Sequence, residues 1–352
     1  MKILVIQQKM IGDVLASSIL CNNLKQIYPE AQVDYVIYPF TYPVVENNPN
    51  IDSVILFEER YRKSKKALYG FLQSIKKAKY DIVLDAYGKV ESNLIVAFSG
   101  ARTKIGFHKS YTNFLYTQTV KEIPQPLTAA GTALENRLNL IRTLNPTAEL
   151  DNRPKIWLTG QEIEKGKAIL QNSGIDFSEK IYMIGVLGSG NSKTYPFPFM
   201  ADLLNLIVEK TGATLLFNYM PSQATDARTI YNLCHPKTRD HIRIDIIPNS
   251  IREFLGITYH CNALIGNEGG AVNMAKAIGK PTFTIFSTWI KKEAWNSFEN
   301  GTTNVSVHLK DFKPELYGEK SAKEMKGKAM ELYEQYIPDL IIPKLSEYIQ
   351  IN

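Results

Sequence analysis

The sequence has few cysteines and no long apolar run. Its 352 residues include three cysteines, Cys21, Cys234 and Cys261, which are scattered along the chain. Such spacing gives neither a disulfide framework nor a zinc site, so we expect three small buried residues. No stretch approaches the ~20 apolar residues that cross a bilayer, and the N-terminus resembles a strand rather than a secretory signal peptide. The pattern therefore predicts a cytoplasmic protein.

Several sequence motifs that indicate a particular binding site or reaction are also missing. The five histidines have no metal-ligand spacing, and no Asp-x-Asp triplet is present to hold a metal-bound diphosphate. The chain lacks the G-x-x-x-x-G-K-[ST] loop, the G-x-S-x-G elbow and, after the first strand of either half, the G-x-G-x-x-G of dinucleotide oxidoreductases. It also lacks an aromatic and basic nucleic-acid motif. We therefore expect no metal, no bound cofactor and no nucleic-acid partner.

The composition is that of a globular protein with a modest positive charge. Hydrophobic residues make up 44% of the chain and charged residues 22%, and the length suits two domains. The formal net charge of +6 fits an anionic ligand or a peripheral position at an anionic membrane, but many soluble enzymes carry as much. The basic segment Arg60 to Lys79, which we predict to be one helix from Tyr61 to Ala78, is compatible with a solvated helix face or with an anionic acceptor or membrane surface.

Strands and helices alternate along the chain. Strands are predicted at 2–7, 33–37, 54–57, 82–85 and 103–107, each followed by a helical segment, and a second alternation begins with a strand at 182–186. Alternation of this kind implies α/β folding, with parallel sheets covered by helices on both faces. A polar segment at 145–154 reads as a linker. We predict two doubly wound domains, 1–150 and 151–337, and a terminal helix within 338–352.

Three loops follow strands of these two domains and are candidate binding sites. They are Lys9 to Asp13, Gly188 to Lys193 and Asn267 to Gly270. Ligands of open α/β sheets lie beyond the carboxyl ends of the strands, so these loops should point toward the ligand. With two such domains facing each other, we expect the site in the cleft between them.

The first loop ends with one acidic residue, Asp13, directly before a helix that we predict from Val14 to Ile27. An aspartate there can cap the helix. It can also act as a general base that takes the proton of an acceptor hydroxyl, with Gly12 permitting close approach of the acceptor. The residues themselves leave both interpretations open.

The second loop combines glycines with hydroxyl and lysine side chains. Ser189 and Ser192 can donate hydrogen bonds to a diphosphate, and Lys193 can supply a positive charge. The alternative is a flexible solvated loop.

The third loop turns on two glycines between a strand and a helix. Gly269 and Gly270 allow a sharp turn and close approach of a ligand to the backbone, and the helix N-terminus that follows suits a phosphate. Glu268 can accept hydrogen bonds from sugar hydroxyls. The alternative is an ordinary strand–helix turn whose glycines serve packing.

Together the three loops resemble glycosyltransferase family 9, the ADP-heptose:lipopolysaccharide heptosyltransferase-like proteins. The start of the chain, residues 2–6 with Ile11-Gly12-Asp13-Val14-Leu15, looks like the start of that family. Residues 188–196 resemble its central loop, where a lysine precedes an aromatic–proline pair. Residues 268–281 are similar to its signature D-[TS]-G-x-x-H-x-A-x-A-x-G-x-P. The match departs from the signature at Glu268, Gly269 and Asn273, where the family has Asp, Thr or Ser, and His.

This resemblance implies a GT-B fold of two Rossmann-like domains and a metal-independent inverting glycosyltransferase. It implies transfer of a heptose or related sugar from a nucleoside-diphosphate donor, ADP-linked in the family, to a cell-envelope glycan, glycolipid or lipopolysaccharide-core acceptor. The implied donor site comprises Ser189, Ser192, Lys193, Glu268, Gly269, Gly270 and Asn273. Asp13 would be the catalytic base, and the terminal helix would cross back to the first domain. A peripheral contact with the cytoplasmic face of the inner membrane fits such an acceptor.

Two alternatives remain open at the level of sequence. A nucleotide-sugar epimerase of the same fold would convert the donor with no acceptor present. A non-catalytic nucleotide-sugar or glycan-binding relative would bind the same ligands without turnover.

Overall fold

A computed structural model describes residues 1–318 and 321–352. The chain divides into two compact units, Met1–Trp157 and Leu158–Asn352. Each unit contains one six-stranded sheet in which every neighbouring pair of strands is parallel. The α/β class and the two doubly wound domains are therefore confirmed. The roles predicted for the two domains, acceptor binding by the first and donor binding by the second, stay predictions.

The first unit is built on strands joined by helical crossovers. Its strands are β1 (Lys2–Ile6), β2 (Gln32–Ile37), β3 (Ser53–Leu56), β4 (Ile82–Asp85), β5 (Thr103–Phe107) and β6 (Gln118–Val120). Its helices are α1 (Ile11–Ile27), α2 (Glu59–Lys63), α3 (Lys65–Ala78), α4 (Val90–Phe98) and α5 (Thr132–Arg142). The spatial order of the strands is β3-β2-β1-β4-β5-β6. The chain therefore reverses direction across the sheet between β1 and β4.

The basic segment predicted as one helix is two helices. Ser64 separates α2 from α3, and its hydroxyl accepts a hydrogen bond from the Ala67 N–H, which caps α3. On α3, Phe71 and Ile75 are buried in the core under the sheet, while the lysines at both ends are exposed. The hydrophobic face holds the helix in place, and the charged face stays solvated.

The second unit repeats the strand order of the first. Its strands are β7 (Ile181–Gly185), β8 (Thr214–Asn218), β9 (Ile242–Arg243), β10 (Ala263–Asn267), β11 (Thr282–Ile285) and β12 (Asn304–Val307). Its longer helices are α6 (Gly160–Asn172), α7 (Phe197–Thr211), α8 (Ala224–Leu233), α9 (Pro236–His241), α10 (Ile251–Tyr259) and α11 (Gly270–Ala277). The order β12-β11-β10-β7-β8-β9 places its reversal between β7 and β10.

Short helices complete the second unit. They are α12 (Lys292–Trp295), α13 (Leu309–Phe312), α14 (Ala322–Gly327) and α15 (Ala329–Glu334), followed by the longer α16 (Pro338–Ile351). The terminal helix α16 packs against α7, and its Ile341, Leu345 and Tyr348 belong to the core of this unit. Its crossing to the first unit stays a prediction.

The cysteines lie in the interior, as their small number and scattered positions predict. All three cysteines are free and buried, and burial raises the pKa of the Cys234 thiol to about 12. Among the residues that the structure describes, no helix has both the length and the apolar character needed to cross a bilayer.

Candidate functional site

The three predicted loops lie where the strand order reverses. Residues 7–13 follow β1 at the reversal of the first sheet, and residues 186–193 and 268–270 follow β7 and β10 at the reversal of the second. Crevices at such points bind ligands in open α/β sheets, because the loops on either side run to opposite faces of the sheet. The topology therefore supports all three as candidate site segments, each within its own unit.

Asp13 lies inside the first helix rather than in the loop before it. Helix α1 begins at Ile11, so the predicted start at Val14 is wrong, and Gly12 and Asp13 form its first turn. One carboxylate oxygen of Asp13 accepts a hydrogen bond from the Met10 N–H at 3.4 Å. The other oxygen lies 2.8 Å from a guanidinium nitrogen of Arg137. The side chain keeps 32% of its surface exposed, so it contributes to capping and remains accessible.

Arg137 was not identified from the sequence. It projects from α5, is 9% exposed, and donates to the Ser17 hydroxyl at 2.6 Å as well as to Asp13. Ser17 in turn donates to the Gln7 side-chain oxygen at 3.3 Å. This network fixes the orientation of the Asp13 carboxylate. The partners are 124 residues apart, so no local pattern indicates the pair.

A second acidic residue lies on β4, the strand on the other side of the point where the strand order of the first sheet reverses. Asp85 ends β4, is fully buried, and accepts hydrogen bonds from the N–H groups of Tyr87 and Gly88 at 2.9 Å. The Tyr116 hydroxyl donates to its other oxygen at 2.8 Å. Burial raises the pKa of the Asp85 carboxyl, and these hydrogen bonds oppose the rise. Its role is to shape the loop after β4.

Asn267 joins the two candidate loops of the second unit. Its amide donates to the carbonyls of Gly185 and Val186 at 2.9 and 3.0 Å, and its oxygen accepts from the Tyr195 N–H at 2.7 Å. The side chain is 5% exposed. The last residue of β10 therefore fixes both ends of the loop that follows β7.

Lys193 and Glu268 meet at the ends of the neighbouring strands β7 and β10. The Lys193 ammonium lies 3.1 Å from the Glu268 carboxylate, with side-chain exposures of 27% and 9%. The ammonium is also 5.5 Å from the centre of the Trp289 ring, a favourable cation–π distance. The Trp289 indole N–H donates to the Ser192 carbonyl at 2.8 Å. The two predicted donor-site residues thus form one cluster, to which Trp289 is an addition.

The loop that carries Lys193 is tightly folded. A Cβ on Gly188 would lie 2.1 Å from the Lys193 carbonyl oxygen, so only glycine fits there. The Gly188 N–H donates to the Thr194 hydroxyl at 3.0 Å, and its carbonyl accepts from the Gln223 amide at 2.8 Å. Hydrogen bonds therefore hold the base of this loop in place, while Ser189 is exposed at its tip and Ser192 is half-buried.

Gly269 and Gly270 form the turn into helix α11. Gly269 has φ 151° and precedes the helix, and Gly270 is its first residue. That backbone conformation is uncommon for residues with side chains. The N–H of Asn273 already bonds the Gly269 carbonyl, so the first N–H groups of α11 have no partner within the helix. Their dipole favours a negative charge beside Lys193.

No cluster of metal ligands accompanies these residues. Within 1–318 and 321–352, no three His, Cys, Asp or Glu side chains are grouped so that they could hold a metal ion. A second lysine lies near the loop after β7, since the Lys326 ammonium is 5.0 Å from the centre of the Trp289 ring.

Comparisons with known proteins agree with one another. The family model of glycosyltransferase family 9 (heptosyltransferase) matches residues 68–325. Lipopolysaccharide heptosyltransferase 1 of Campylobacter coli is 24% identical over 303 residues, which is 81% of this chain and 84% of that protein.

Solved structures show the same fold. The family 9 glycosyltransferase of Veillonella parvula superposes with a TM-score of 0.76 at 15% identity, covering 95% of this chain and 97% of that one. ADP-heptose lipopolysaccharide heptosyltransferase II of E. coli superposes with a TM-score of 0.68 at 15% identity, covering 96% and 99%. The two Rossmann-like units are thus those of the GT-B fold, and the chain belongs to glycosyltransferase family 9, the heptosyltransferase family.

Proposed function

We propose that this enzyme transfers a heptose or a closely related sugar from a nucleoside diphosphate, ADP in the first instance, to a lipopolysaccharide-core acceptor. The names of its relatives support this choice, since they are lipopolysaccharide heptosyltransferases and one is named for ADP-heptose. We further propose that the transfer inverts the anomeric centre, needs no metal, and takes place at the cytoplasmic face of the inner membrane.

The observation that carries the donor assignment is the cluster of Lys193 and Glu268 at the reversal of the second sheet. The ammonium, 3.1 Å from the carboxylate, is positioned to meet a diphosphate that also faces the N-terminus of α11. The Lys193 ammonium and the N-terminus of α11 both stabilise the negative charge that grows on the diphosphate as it leaves. Ser189 and Ser192 supply hydroxyl donors to the same phosphates, and Glu268 and Asn273 bind the sugar hydroxyls.

The proposed reaction is a direct displacement. The acceptor oxygen forms a bond to the anomeric carbon, and the bond from that carbon to the diphosphate oxygen breaks, which releases the nucleoside diphosphate. The proton of the acceptor hydroxyl passes to Asp13, the general base. Arg137, 2.8 Å from one oxygen of Asp13, orients the carboxylate and leaves the other oxygen to take the proton. Gly12 allows the acceptor to approach.

The test is a transfer assay with the full-length enzyme. ADP-heptose and the corresponding UDP, GDP, CDP and TDP sugars are offered with a heptose-free lipopolysaccharide core, in the presence and absence of EDTA. Mass spectrometry detects the added sugar, and NMR coupling constants give its anomeric configuration. We expect selective, EDTA-insensitive transfer from the ADP sugar with inversion. Transfer that stops with EDTA, or retention of configuration, contradicts the corresponding part of the proposal.

The same assay addresses the epimerase alternative. Incubation of each donor without acceptor, followed by NMR of the recovered nucleotide sugar, reveals any isomerised product. We expect unchanged donor apart from slow hydrolysis. Isomerised donor that forms as fast as any transfer product would replace the transferase proposal. Tight binding of the donor with neither reaction would point to a non-catalytic relative.

A further inference from the structure

The most exposed large hydrophobic side chains of the protein are concentrated on one part of the first unit. Four of them, which we call the apolar tips, exceed 70% exposure: Val90 at 72%, Tyr111 at 71%, Phe114 at 81% and Leu127 at 77%. The next most exposed are Met10 and Met330 at 59%. The tips lie on the segments that follow β4, β5 and β6, three neighbouring strands at one end of the sheet.

Hydrogen bonds tie these segments to one another. The Lys109 ammonium, on the segment after β5, donates to the Gly88 carbonyl after β4 at 2.7 Å. The Tyr116 hydroxyl, further along the same segment, reaches Asp85 at the end of β4 at 2.8 Å. Helix α4, which begins at Val90, contacts the turn that carries Phe114. The first three tips therefore belong to one structured surface.

The tips are held on ordered backbone rather than on loose loops. The N–H groups of Thr112 and Asn113 both donate to the Lys109 carbonyl, so the turn that carries Tyr111 is closed. The N–H groups of Leu127 and Thr128 donate to the Glu135 carboxylate at 2.7 and 2.6 Å, and Glu135 is only 4% exposed. Apolar side chains fixed in water by such bonds indicate a surface that another phase or partner covers.

The charges beside the tips are mainly positive. Lys89, next to Val90, and Lys121, directly after β6, are exposed, and Lys109 after β5 is half-buried. Of the acidic neighbours, Glu91 is offset by Arg62 at 3.2 Å, and Glu122 is exposed. Lysines are depleted from protein–protein interfaces, whereas lysines beside Tyr, Phe and Leu are typical of surfaces that lie on anionic bilayers.

We propose that the apolar tips and their flanking lysines dock the first unit onto an anionic phospholipid bilayer. The tips enter the headgroup region, and the lysines remain at the level of the lipid phosphates. The inference rests in part on the proposed function, because a lipopolysaccharide-core acceptor is anchored in a membrane. It goes further by assigning the side chains that hold the enzyme there, and it can be tested without donor or acceptor.

The experiment is sedimentation of the full-length protein with vesicles of phosphatidylethanolamine and phosphatidylglycerol, compared with phosphatidylcholine alone. The test variants are Tyr111→Ser with Phe114→Ser, and Lys89→Gln with Lys121→Gln. The matched control is Met330→Ser with Ile351→Ser, which removes two side chains of 59% and 57% exposure from the second unit. Circular dichroism and the thermal midpoint verify that each variant is folded.

We expect wild-type protein to bind the anionic vesicles and to be released by 0.5 M salt. The aromatic pair and the lysine pair of changes should each weaken partitioning about tenfold or more, and the control less than twofold. Equal binding by wild type and the aromatic variant overturns the proposal, as does equal binding to neutral vesicles. A change in oligomeric state of the aromatic variant without vesicle binding by wild type would instead identify a second copy as the occupant.

A direct readout uses the side chain itself. In a Phe114→Trp variant, transfer of the new indole into the headgroup region shifts its emission to shorter wavelength when anionic vesicles are added. An unshifted spectrum on bound protein would overturn the assignment of Phe114. Retention of transfer to a soluble, lipid-free core saccharide by the aromatic variant separates a failure of docking from a failure of the proposed function.

Discussion

At the scale of single residues, the carboxylate of Asp13 makes the sharpest prediction. In an Asp13→Asn variant the amide oxygen can still accept from Arg137, so the first turn of α1 keeps its geometry, but the residue no longer takes a proton. We expect kcat to fall about 10²- to 10⁴-fold with the donor KM nearly unchanged. Steady-state kinetics of nucleotide release measure both constants.

The exposed carboxylate of Glu30 provides the control for that change. A Glu30→Gln variant removes the same charge from the turn after α1, and its turnover should equal that of wild type. If Asp13→Asn turns over at the wild-type rate with saturating donor, Asp13 is a helix-capping residue and the base lies elsewhere.

Lys193 leads to a second prediction at this scale, because its ammonium pairs with Glu268 and is also proposed to bind the donor diphosphate. A Lys193→Gln change removes the charge that meets the donor diphosphate and also leaves the Glu268 carboxylate, 9% exposed, without its cation. We expect about 10- to 100-fold weaker binding of ADP, since charge-assisted hydrogen bonds of this kind contribute about 1.5–3 kcal/mol. Calorimetric titration with ADP gives the affinity.

A double variant separates binding from stability. Lys193→Gln combined with Glu268→Gln no longer buries an unpaired carboxylate, so its thermal midpoint should recover toward wild type while ADP affinity stays low. Lys210→Gln, at the exposed end of α7, is the neutral control. Full recovery of affinity in the double variant would show that Lys193 acts only on Glu268.

Single residues also show where sequence stops being informative. Lys193 and Glu268 can be paired in advance, because each follows a strand whose carboxyl end meets the other's. The contact of Asp13 with Arg137 cannot, because it joins α1 to α5 across 124 residues and depends on how two helices pack. Trp289 is an intermediate case, since it follows β11 at the same edge and its position after a strand would have indicated it.

At the scale of elements, the crossing of α6 and α10 depends on two glycines. A Cβ on Gly166 would lie 2.2 Å from the Gly256 carbonyl carbon, so the two backbones touch. We expect Gly166→Ala to destabilise the second unit by about 1–3 kcal/mol, because the helices must move apart. Gly160→Ala in the same helix faces open space and should change stability by less than 1 kcal/mol.

Hydrogen exchange of the amides in α6 and α10 measures this effect within the second unit, where a midpoint for the whole chain mixes both units. Exchange in α1 and α5 should stay at the wild-type rate in both variants. Equal protection of α6 and α10 in the two variants would show that the two helices can move apart without loss of stability.

Elements were predicted well where they are long or central and poorly at the sheet edges. Strands β4 and β5 begin and end where the sequence places them. In β4 the reason is a short apolar run, Ile82 to Leu84, between polar residues. The edge strand β6 has three residues, and such a short segment carries too little periodicity to be recognised. The single helix predicted from Tyr61 to Ala78 is broken by the Ser64 cap, a local interaction that amphipathic spacing does not register.

At the scale of the whole molecule, the repeated strand order explains why the fold was predictable and parts of the site were not. Two sheets with the same reversal follow from the alternation of strands and helices and from the right-handed crossover rule. The reversal fixes which loops carry ligands in each unit. Side-chain pairs inside each loop depend on packing, and the sequence gives their residue types without their partners.

The stability of the whole chain should depend on pH through His308. This residue follows β12, is 3% exposed, and accepts a hydrogen bond at Nδ1 from the Lys310 N–H at 2.9 Å. Burial lowers its pKa from 6.5 to about 4, and the nearby Asp311 only partly opposes that change. The folded state therefore prefers the neutral ring, whereas the unfolded chain protonates it below about pH 6.5.

The direction of the effect follows from the lowered pKa. Stability from this group is fully present above pH 6.5, declines as the pH falls, and levels off below about pH 4, where both states bind the proton. A difference of this size corresponds to about 3 kcal/mol across the window.

His308→Asn keeps an acceptor for the Lys310 N–H and removes the titration. Denaturant midpoints of the second unit at pH 7.5 and pH 4.5 should differ less in this variant than in wild type. Equal pH dependence in both would assign the loss to other groups. Glu162 is not one of them, because its pKa of about 2 beside Arg252 produces a decline that begins only below about pH 4.5.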